Sequence, residues 1–308
     1  MTSRRASFGD LLEPGLRKIM FDEYKAIPQA YTKVFNVLSS TKQDETDSGI
    51  SGFGQFDNQT ESGTLTYEDP IQGYDVSYTH QKFSKGFKVT EELWDDDQYN
   101  KIKKMPAKLG VSANRTVETQ AADILNNAFV TTYTTGGDGY ALCSASHPRS
   151  DGGTAQSNTG TAVLSEAAIK AAELAMEQVL DDKGQLIQIM PNLLIVPPAL
   201  KHTAKILLQS TGRPYDGTTI YDKDANTLKG EYELMVWAYL SNVTTNGSDT
   251  AWFLMDTSIA ELNFFWRKQL TFGQDESFDT DEALYKAKMR FSCGFSNWRG
   301  FWGSTGLG

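Results

Sequence analysis

No run of about 18 apolar residues occurs in the chain, so a membrane-spanning helix is not indicated. The N-terminus, MTSRRASFGDLLEPGLRK, has no apolar centre, so neither is a signal peptide. Cysteine is nearly absent. Cys143 and Cys293 are the only two, lie far apart and lack metal-ligand spacing, which favours free thiols in a reducing cytosol over a bridge. The sequons at Asn58, Asn114, Asn242 and Asn246 then carry no glycan. Only three histidines are present, none with metal-like neighbours, and GxxxxGK[ST], GxGxxG and HExxH do not occur, so no nucleotide or zinc chemistry is signalled. Positive charge is missing from one stretch altogether: residues 43–81 carry eight acids and no Lys or Arg. Residues 1–42, by contrast, carry seven basic residues against four acids. A net charge of −10 argues against wrapping nucleic acid through phosphate contacts.

At 308 residues and 39% apolar content the chain is long enough for about two domains and a real core. Its longest regular feature lies within residues 94–129. From Tyr99, the positions Ile102, Met105, Leu109, Ala113, Val117, Ile124 and Ala128 follow a helical period and define one buried face. Lys101, Lys104, Lys108 and Arg115 fall on the other side. Pro106 lacks an N–H and predicts a kink or break, with the longer segment, about 36 Å of helix, starting there. Gly110 weakens a helix by about 1 kcal/mol relative to Ala, so packing must hold it.

In residues 8–38, Pro14 and Pro28 exclude one continuous helix and leave an arm with a short one. Residues 40–52 read as a linker. Residues 64–88 alternate as strands interrupted by Asp69-Pro70 and Gln72-Gly73, a two-stranded excursion that must lie on something else because an isolated ribbon is marginal in water. Residues 131–160, rich in Gly, Ser, Thr and Asp, read as a long surface loop. Ser165 caps a helix that Gly184 ends, residues 193–196 form a strand closed by Pro197 and Pro198, and Pro198 opens a helix stopped at Gly212. Strands at 231–240 and 251–255 flank Asn246-Gly247, a hairpin signal. The aromatic tail, 261–302, is β-rich and must pair back with earlier elements, which makes a discontinuous domain of helix plus tail with residues 136–254 inserted.

Three patterns invite chemistry. His147, with Ser144, Ser146 and Asp151 nearby, suggests a Ser-His-Asp set, but it sits in a Gly/Ser-rich loop without a nucleophile elbow. His202 reads as a surface or boundary residue. The turn holding Asp275, Glu276, Asp279 and Asp281 offers oxygens to a hard cation, yet lacks the glycine and spacing of a calcium loop and reads as solvated or partner-facing. Tail aromatics such as Phe264, Trp266, Trp298 and Trp302 fit core packing better than base stacking in so acidic a chain. No catalytic, cofactor or metal site emerges. The remaining reading is a protein that works through self-association.

The segments ELWDDDQYNKIKKMPAKLGVSANRTVETQAADILNNAF, PNLLIVPPALKHTAKILLQS and FFWRKQLTFGQDESFDTDEALYKAKMRFSCGFSNWRGFWG occur in an order and spacing that resemble the major capsid proteins of tailed bacteriophages. Within these, of the Hong Kong 97 type, the chain resembles the Mu-like major head subunits over most of residues 10–303. The resemblance implies an α+β Hong Kong 97-type capsid fold and no enzymatic activity. It implies an N-terminal arm at 1–50, an extended E-loop at 51–88, a peripheral domain with a spine helix at 89–135 and an axial α/β domain at 136–255. Residues 256–308 would supply peripheral strands and a C-terminal return around Trp298 to Trp302. Such proteins form hexamers and pentamers that close an icosahedral shell around double-stranded DNA, in the host bacterial cytoplasm and without membrane contact. Portal and decoration proteins are further implied partners, and an arm that starts almost at Met1 favours a separate scaffolding protein. The acidic turn would then lie where neighbouring capsomers meet. Some relatives cross-link the E-loop to a neighbour by a Lys–Asn bond, for which residues 43–81 offer no Lys.

Because an E-loop must rest on a neighbour, Asp57, Glu61, Glu68, Asp69 and Asp75 call for a basic partner, and Lys101, Lys104, Lys108 and Arg115 are the row expected to receive them. Two other readings stay open: another virion protein, of decoration or tail type, and a cytosolic hydrolase using His147 or the acidic turn.

Overall fold

A computed structural model of the chain describes residues 6–59, 61, 63–90, 92–93, 101–133, 136–212, 225–277 and 282–308. The helix α1, Ala6–Ala26, leads through a 3-10 turn, Ala30–Lys33, to strands β1, Asn36–Ser39, and β2, Asp44–Ile50. Next come β3, Gln72–Thr79, β4, Gln81–Thr90, and the long helix α2, Lys101–Asn126. Then follow β5, Thr159–Gly160, α3, Glu166–Glu177, β6, Leu193–Val196, and α4, Lys201–Gln209. The chain finishes with β7, Glu233–Val236, β8, Trp252–Met255, β9, Glu261–Ser277, β10, Glu282–Asn297, and β11, Phe301–Ser304. These form a four-stranded sheet in the order β1-β9-β10-β4, a five-stranded sheet β5-β11-β8-β6-β7, and a two-stranded ribbon β2-β3.

Two cores result. The first lies between α2, α1 and the four-stranded sheet and gathers Met20, Leu109, Val117, Ile124, Phe264, Tyr285 and Phe291. The second lies under α3 and α4 on the outer face of the five-stranded sheet and gathers Ile169, Leu208, Trp252, Trp298 and Trp302. Strand β6 shows why LLIV is apolar at every position: Leu193 and Ile195 face the first core, Leu194 and Val196 the second. A strand covered on both sides has no polar face to present. The tail does pair back, as β9 and β10 build the first sheet while β11 joins the second. Its aromatics are core: Phe264, Phe291, Phe295, Phe301, Trp266, Trp298 and Trp302 are all buried.

Several expectations are corrected. Pro106 neither breaks nor starts the helix, since α2 runs through it from Lys101 with Pro106 itself buried among Ile102 and Leu109. The start expected at Trp94 and Tyr99 falls outside the described residues. Helix α1 likewise continues through Pro14 for 21 residues and stops before Pro28. In both, burial of one helical face outweighs the loss of one backbone hydrogen bond. The linker at 40–52 contains β2, which pairs antiparallel with β3. The ribbon is therefore β2 with β3, whereas β4 pairs with β10, so β3 and β4 do not form the two-stranded excursion expected of 64–88. Helix α3 ends at Glu177 rather than at Gly184, which instead occupies a turn at φ 75°, and α4 ends at Gln209, short of Gly212. Asn246 has the positive φ, 58°, of a tight turn, but the strands on either side are not a hairpin: β6 lies between β7 and β8. Residues 131–133 and 136–158 lack named helices and strands yet are pinned inside, with Leu142, His147 and Asn158 buried.

The α1–α2 crossing explains Gly110. A Cβ there would clash with the backbone carbonyl of Met20, so only glycine lets the arm helix lie this close.

Candidate interaction surfaces

The ribbon and its loop carry the least self-sufficient surface. Ile50, Phe53, Phe56, Leu65 and Tyr67 are exposed, Phe56 completely. Asp57, Glu61, Glu68, Asp69 and Asp75 are exposed among them. The loop does not float, because Glu68 Oε1 accepts a hydrogen bond from Lys183 Nζ at 2.7 Å and its Oε2 accepts one from the Gly54 N–H at 2.8 Å. Lys183 and this backbone N–H hold the Glu68 carboxyl below the ordinary carboxylate range. Lys183 also donates to the Asp69 carbonyl at 3.2 Å.

The ribbon's base is bolted to the β9–β10 hairpin by a polar network. Ser296 Oγ donates to Asp47 Oδ2 at 2.6 Å and lies 2.7 Å from Tyr78 Oη, while Asn263 Nδ2 donates to Ser296 Oγ at 3.0 Å. Burial raises the Tyr78 phenol to about 12. At the junction of β3 and β4 the buried His80 bridges Ser292 Oγ, 2.9 Å from Nδ1, and Ser40 Oγ, 3.0 Å from Nε2. Burial, and then Arg290, hold the His80 imidazole below its usual value.

Lys101, Lys104, Lys108 and Arg115 are all exposed on α2, so the basic row is real and faces outward. Lys104 and Lys108 also border a shallow groove with Lys85, Phe87 and Met105. Within the chain, however, Glu68 pairs with Lys183 and not with this row. Of the acidic turn, Asp275 is exposed near the end of β9, Glu276 is a β9 residue, and Asp279 and Asp281 lie outside the described residues. Among the described residues no group of three or more His, Cys, Asp or Glu is arranged to hold a metal ion. No described helix is long and apolar enough to cross a membrane.

His147 is wholly buried. Its Nδ1 lies 2.6 Å from Asp138 Oδ2 and its Nε2 3.1 Å from Asn158 Oδ1. Asp151 is paired with Arg149 instead. With both ring nitrogens engaged, and neither by a serine hydroxyl, the Ser-His-Asp geometry is not assembled. His202 is exposed on α4.

Two features escaped the sequence reading. Glu118, in the middle of α2 and 2% exposed, accepts from the Tyr31 N–H at 3.3 Å and from Trp237 Nε1 at 2.8 Å, tying the chain after α1 and the chain after β7 to one carboxylate. Burial raises its carboxyl above the ordinary range. A glutamate at an otherwise apolar helical position was the available signal. The second is a cluster of basic residues on the four-stranded sheet, Lys82, Lys268, Lys286, Lys288 and Arg290, foreshadowed by the period-two spacing in KAKMR.

The fold matches solved capsid structures. A capsid of a native GTA particle is 12% identical with a TM-score of 0.59, covering 91% of this chain and 90% of that one. A structure from Microbacterium phage Oxtober96 is 13% identical with a TM-score of 0.54, covering 91% of each chain. The procapsid of bacteriophage JBD30 is 16% identical with a TM-score of 0.52, covering 97% of this chain and 75% of that one. No curated protein matches the sequence. The architecture is the Hong Kong 97-type capsid fold. The phage capsid protein family model matches residues 73–303, most of the sequence, and the chain belongs to that family.

Proposed function

We propose that this chain is the major head subunit of a tailed phage, assembling as hexamers and pentamers into an icosahedral shell that encloses double-stranded DNA. Family membership carries the capsid role, and the exposed ribbon supports assembly through it. A loop bearing Ile50, Phe53, Phe56, Leu65 and Tyr67 in water is unfavourable for a free subunit, and covering it by a neighbour removes that apolar surface at about 25 cal/mol per Å². The role is structural, with a separate scaffolding protein, a portal, and a decoration protein as partners, in the cytoplasm of the host.

In this reading residues 1–50 form the arm, whose β2 supplies one strand of the ribbon, 51–88 the E-loop, whose end enters the four-stranded sheet as β4, 89–135 with the β9–β10 hairpin the peripheral domain, and 136–255 the axial domain, to which β11 returns. The contacts between copies run through Asp57, Glu61, Glu68, Asp69 and Asp75, through Lys101, Lys104, Lys108 and Arg115, and through the turn of Asp275, Glu276, Asp279 and Asp281. The test is expression with the scaffold followed by negative-stain microscopy. Hollow icosahedral particles are expected; a chain that stays monomeric at every salt and protein concentration overturns the reading.

A further inference from the structure

The ribbon and the four-stranded sheet are separately paired units that meet at one elbow. In the sheet, β1 ends with Ser39 beside Trp266 of β9, and β4 begins with Gln81 beside Phe291 of β10. Pairing within the ribbon starts just beyond, with Asp44 opposite Thr79. Residues 40–43 on one leg and His80 alone on the other carry the chain across. The His80 side of this elbow is 4% exposed. Because Nε2 meets Ser40 on the opposite leg and Nδ1 meets Ser292 on β10, one ring ties both legs to the sheet. Ser40 is seated in turn by its N–H, which donates to the Trp266 carbonyl at 2.9 Å.

The hydrogens around this ring suit only its neutral form. Ser40 Oγ accepts from the Lys42 N–H at 3.2 Å, and its hydroxyl faces the Glu45 carboxylate, which can only accept. The Ser40 proton therefore goes to Glu45, and Nε2 supplies the N–H of its own bond to Ser40. Nδ1 is left bare and accepts from the Ser292 hydroxyl. A second proton on the ring makes Nδ1 a donor as well, and the Ser292 hydroxyl must turn away.

Charge opposes that second proton. Arg290 Nε donates to the His80 carbonyl at 3.3 Å, and by register Lys82 and Lys268 stand on either side of Arg290. Glu45 and Asp44 attract a charged ring, Arg267 on β9 repels it, and Lys42 is engaged with Glu45. Burial and Arg290 prevail over the two acids. An imidazolium is thus relieved by reaching water, which the closed elbow denies it. The other fastenings of the ribbon, Ser296 to Asp47 and Lys183 to Glu68, contain no imidazole, the side chain that ordinarily titrates between pH 5 and 8.

We propose that His80 is a proton-operated latch on the ribbon: the neutral ring locks both legs to β10, and its protonation frees them to swing about residues 40–43 and 80. The latch belongs to the single chain and stands apart from the shell reading. It is tested on the unassembled chain by hydrogen–deuterium exchange with mass spectrometry from pH 7.5 to 5.5, with rates corrected for the intrinsic effect of pH. An ordinary imidazole value near 6.5 lies about one unit above the acid end, so opening is favoured there about tenfold. Peptides covering residues 40–50 and 72–80 should lose about that much protection, while those covering 283–289 and 193–196 keep theirs. In His80→Gln the pH dependence should vanish, whatever level of protection the amide leaves. In Arg290→Gln the midpoint should move up towards 6.5, because the repelling cation is gone. Ribbon protection that is constant with pH in the parent, that falls equally in His80→Gln, or that falls together with residues 193–196 overturns the latch. So does a midpoint that Arg290→Gln leaves in place.

Discussion

The imidazole of His147 lies flat on the indole of Trp298, ring centroids 4.4 Å apart and planes 12° from parallel. The Arg299 guanidinium carbon is 5.0 Å from the centroid of the same indole, and Arg299 also donates to Asp182 Oδ1 at 3.0 Å. The residue that most suggested catalysis is thus a rivet. It joins the irregular stretch after α2 to the turn between β10 and β11.

Replacing that rivet should cost stability rather than activity. His147→Ala leaves the Asp138 carboxylate, 6% exposed, without its partner and opens a cavity on Trp298. A loss of about 3 kcal/mol in urea unfolding is expected, in line with broken buried pairs. Ser144→Ala should be close to silent. Equal losses from both would mean that the two act as a unit after all.

Gly110→Ala separates two effects of opposite sign. Helix propensity alone makes the change stabilising by about 1 kcal/mol. The Met20 carbonyl makes it destabilising, because α1 must move away from α2. A net loss above about 1 kcal/mol, with faster proteolysis in residues 14–26, is expected. A gain in unfolding free energy would show that the arm is not seated on α2 in solution.

Much of this was readable locally, and the failures share one cause. Ser165 does cap its helix, its hydroxyl accepting from the Ala168 N–H at 3.2 Å, and LLIV followed by two prolines is a strand. What the sequence does not print is the partner. DETDSGI looks like a linker because its side chains are polar, yet strand β2 is held by backbone bonds to β3 and by Asp47 to Ser296. Asn246-Gly247 makes its turn, but β6 comes from 50 residues earlier to separate the strands it was expected to join. The alternation of KAKMR was visible, whereas the alignment of Lys286 and Lys288 with Lys82 and Lys268 depends on the register of three strands.

The shell should be free of covalent links through the ribbon. A Lys–Asn cross-link needs an amine, residues 43–81 have none, and the nearest one upstream, Lys42 Nζ, is 3.2 Å from Glu45 Oε2. Purified particles boiled in denaturant should run as one band near 34.1 kDa. A ladder of higher bands would contradict this.

Acidity should reveal Glu118. Burial raises its folded-state carboxyl above the ordinary range, so the folded chain takes up a proton in conditions where the unfolded chain, near 4.3, does not. Stability therefore falls as pH rises from about 4.3 through the raised value and is fully present below that window. His80 acts in the opposite direction, since its depressed value removes stability as pH falls below about 6.5. Glu118→Gln isolates the first contribution, because the amide resembles the protonated acid and cannot titrate. Urea unfolding from pH 4 to 7 should show the variant flatter than the parent on the carboxylate side, with the two closest at the acid end. Parallel curves would mean that Tyr31 and Trp237 together keep this carboxylate ionised as easily inside the fold as in water.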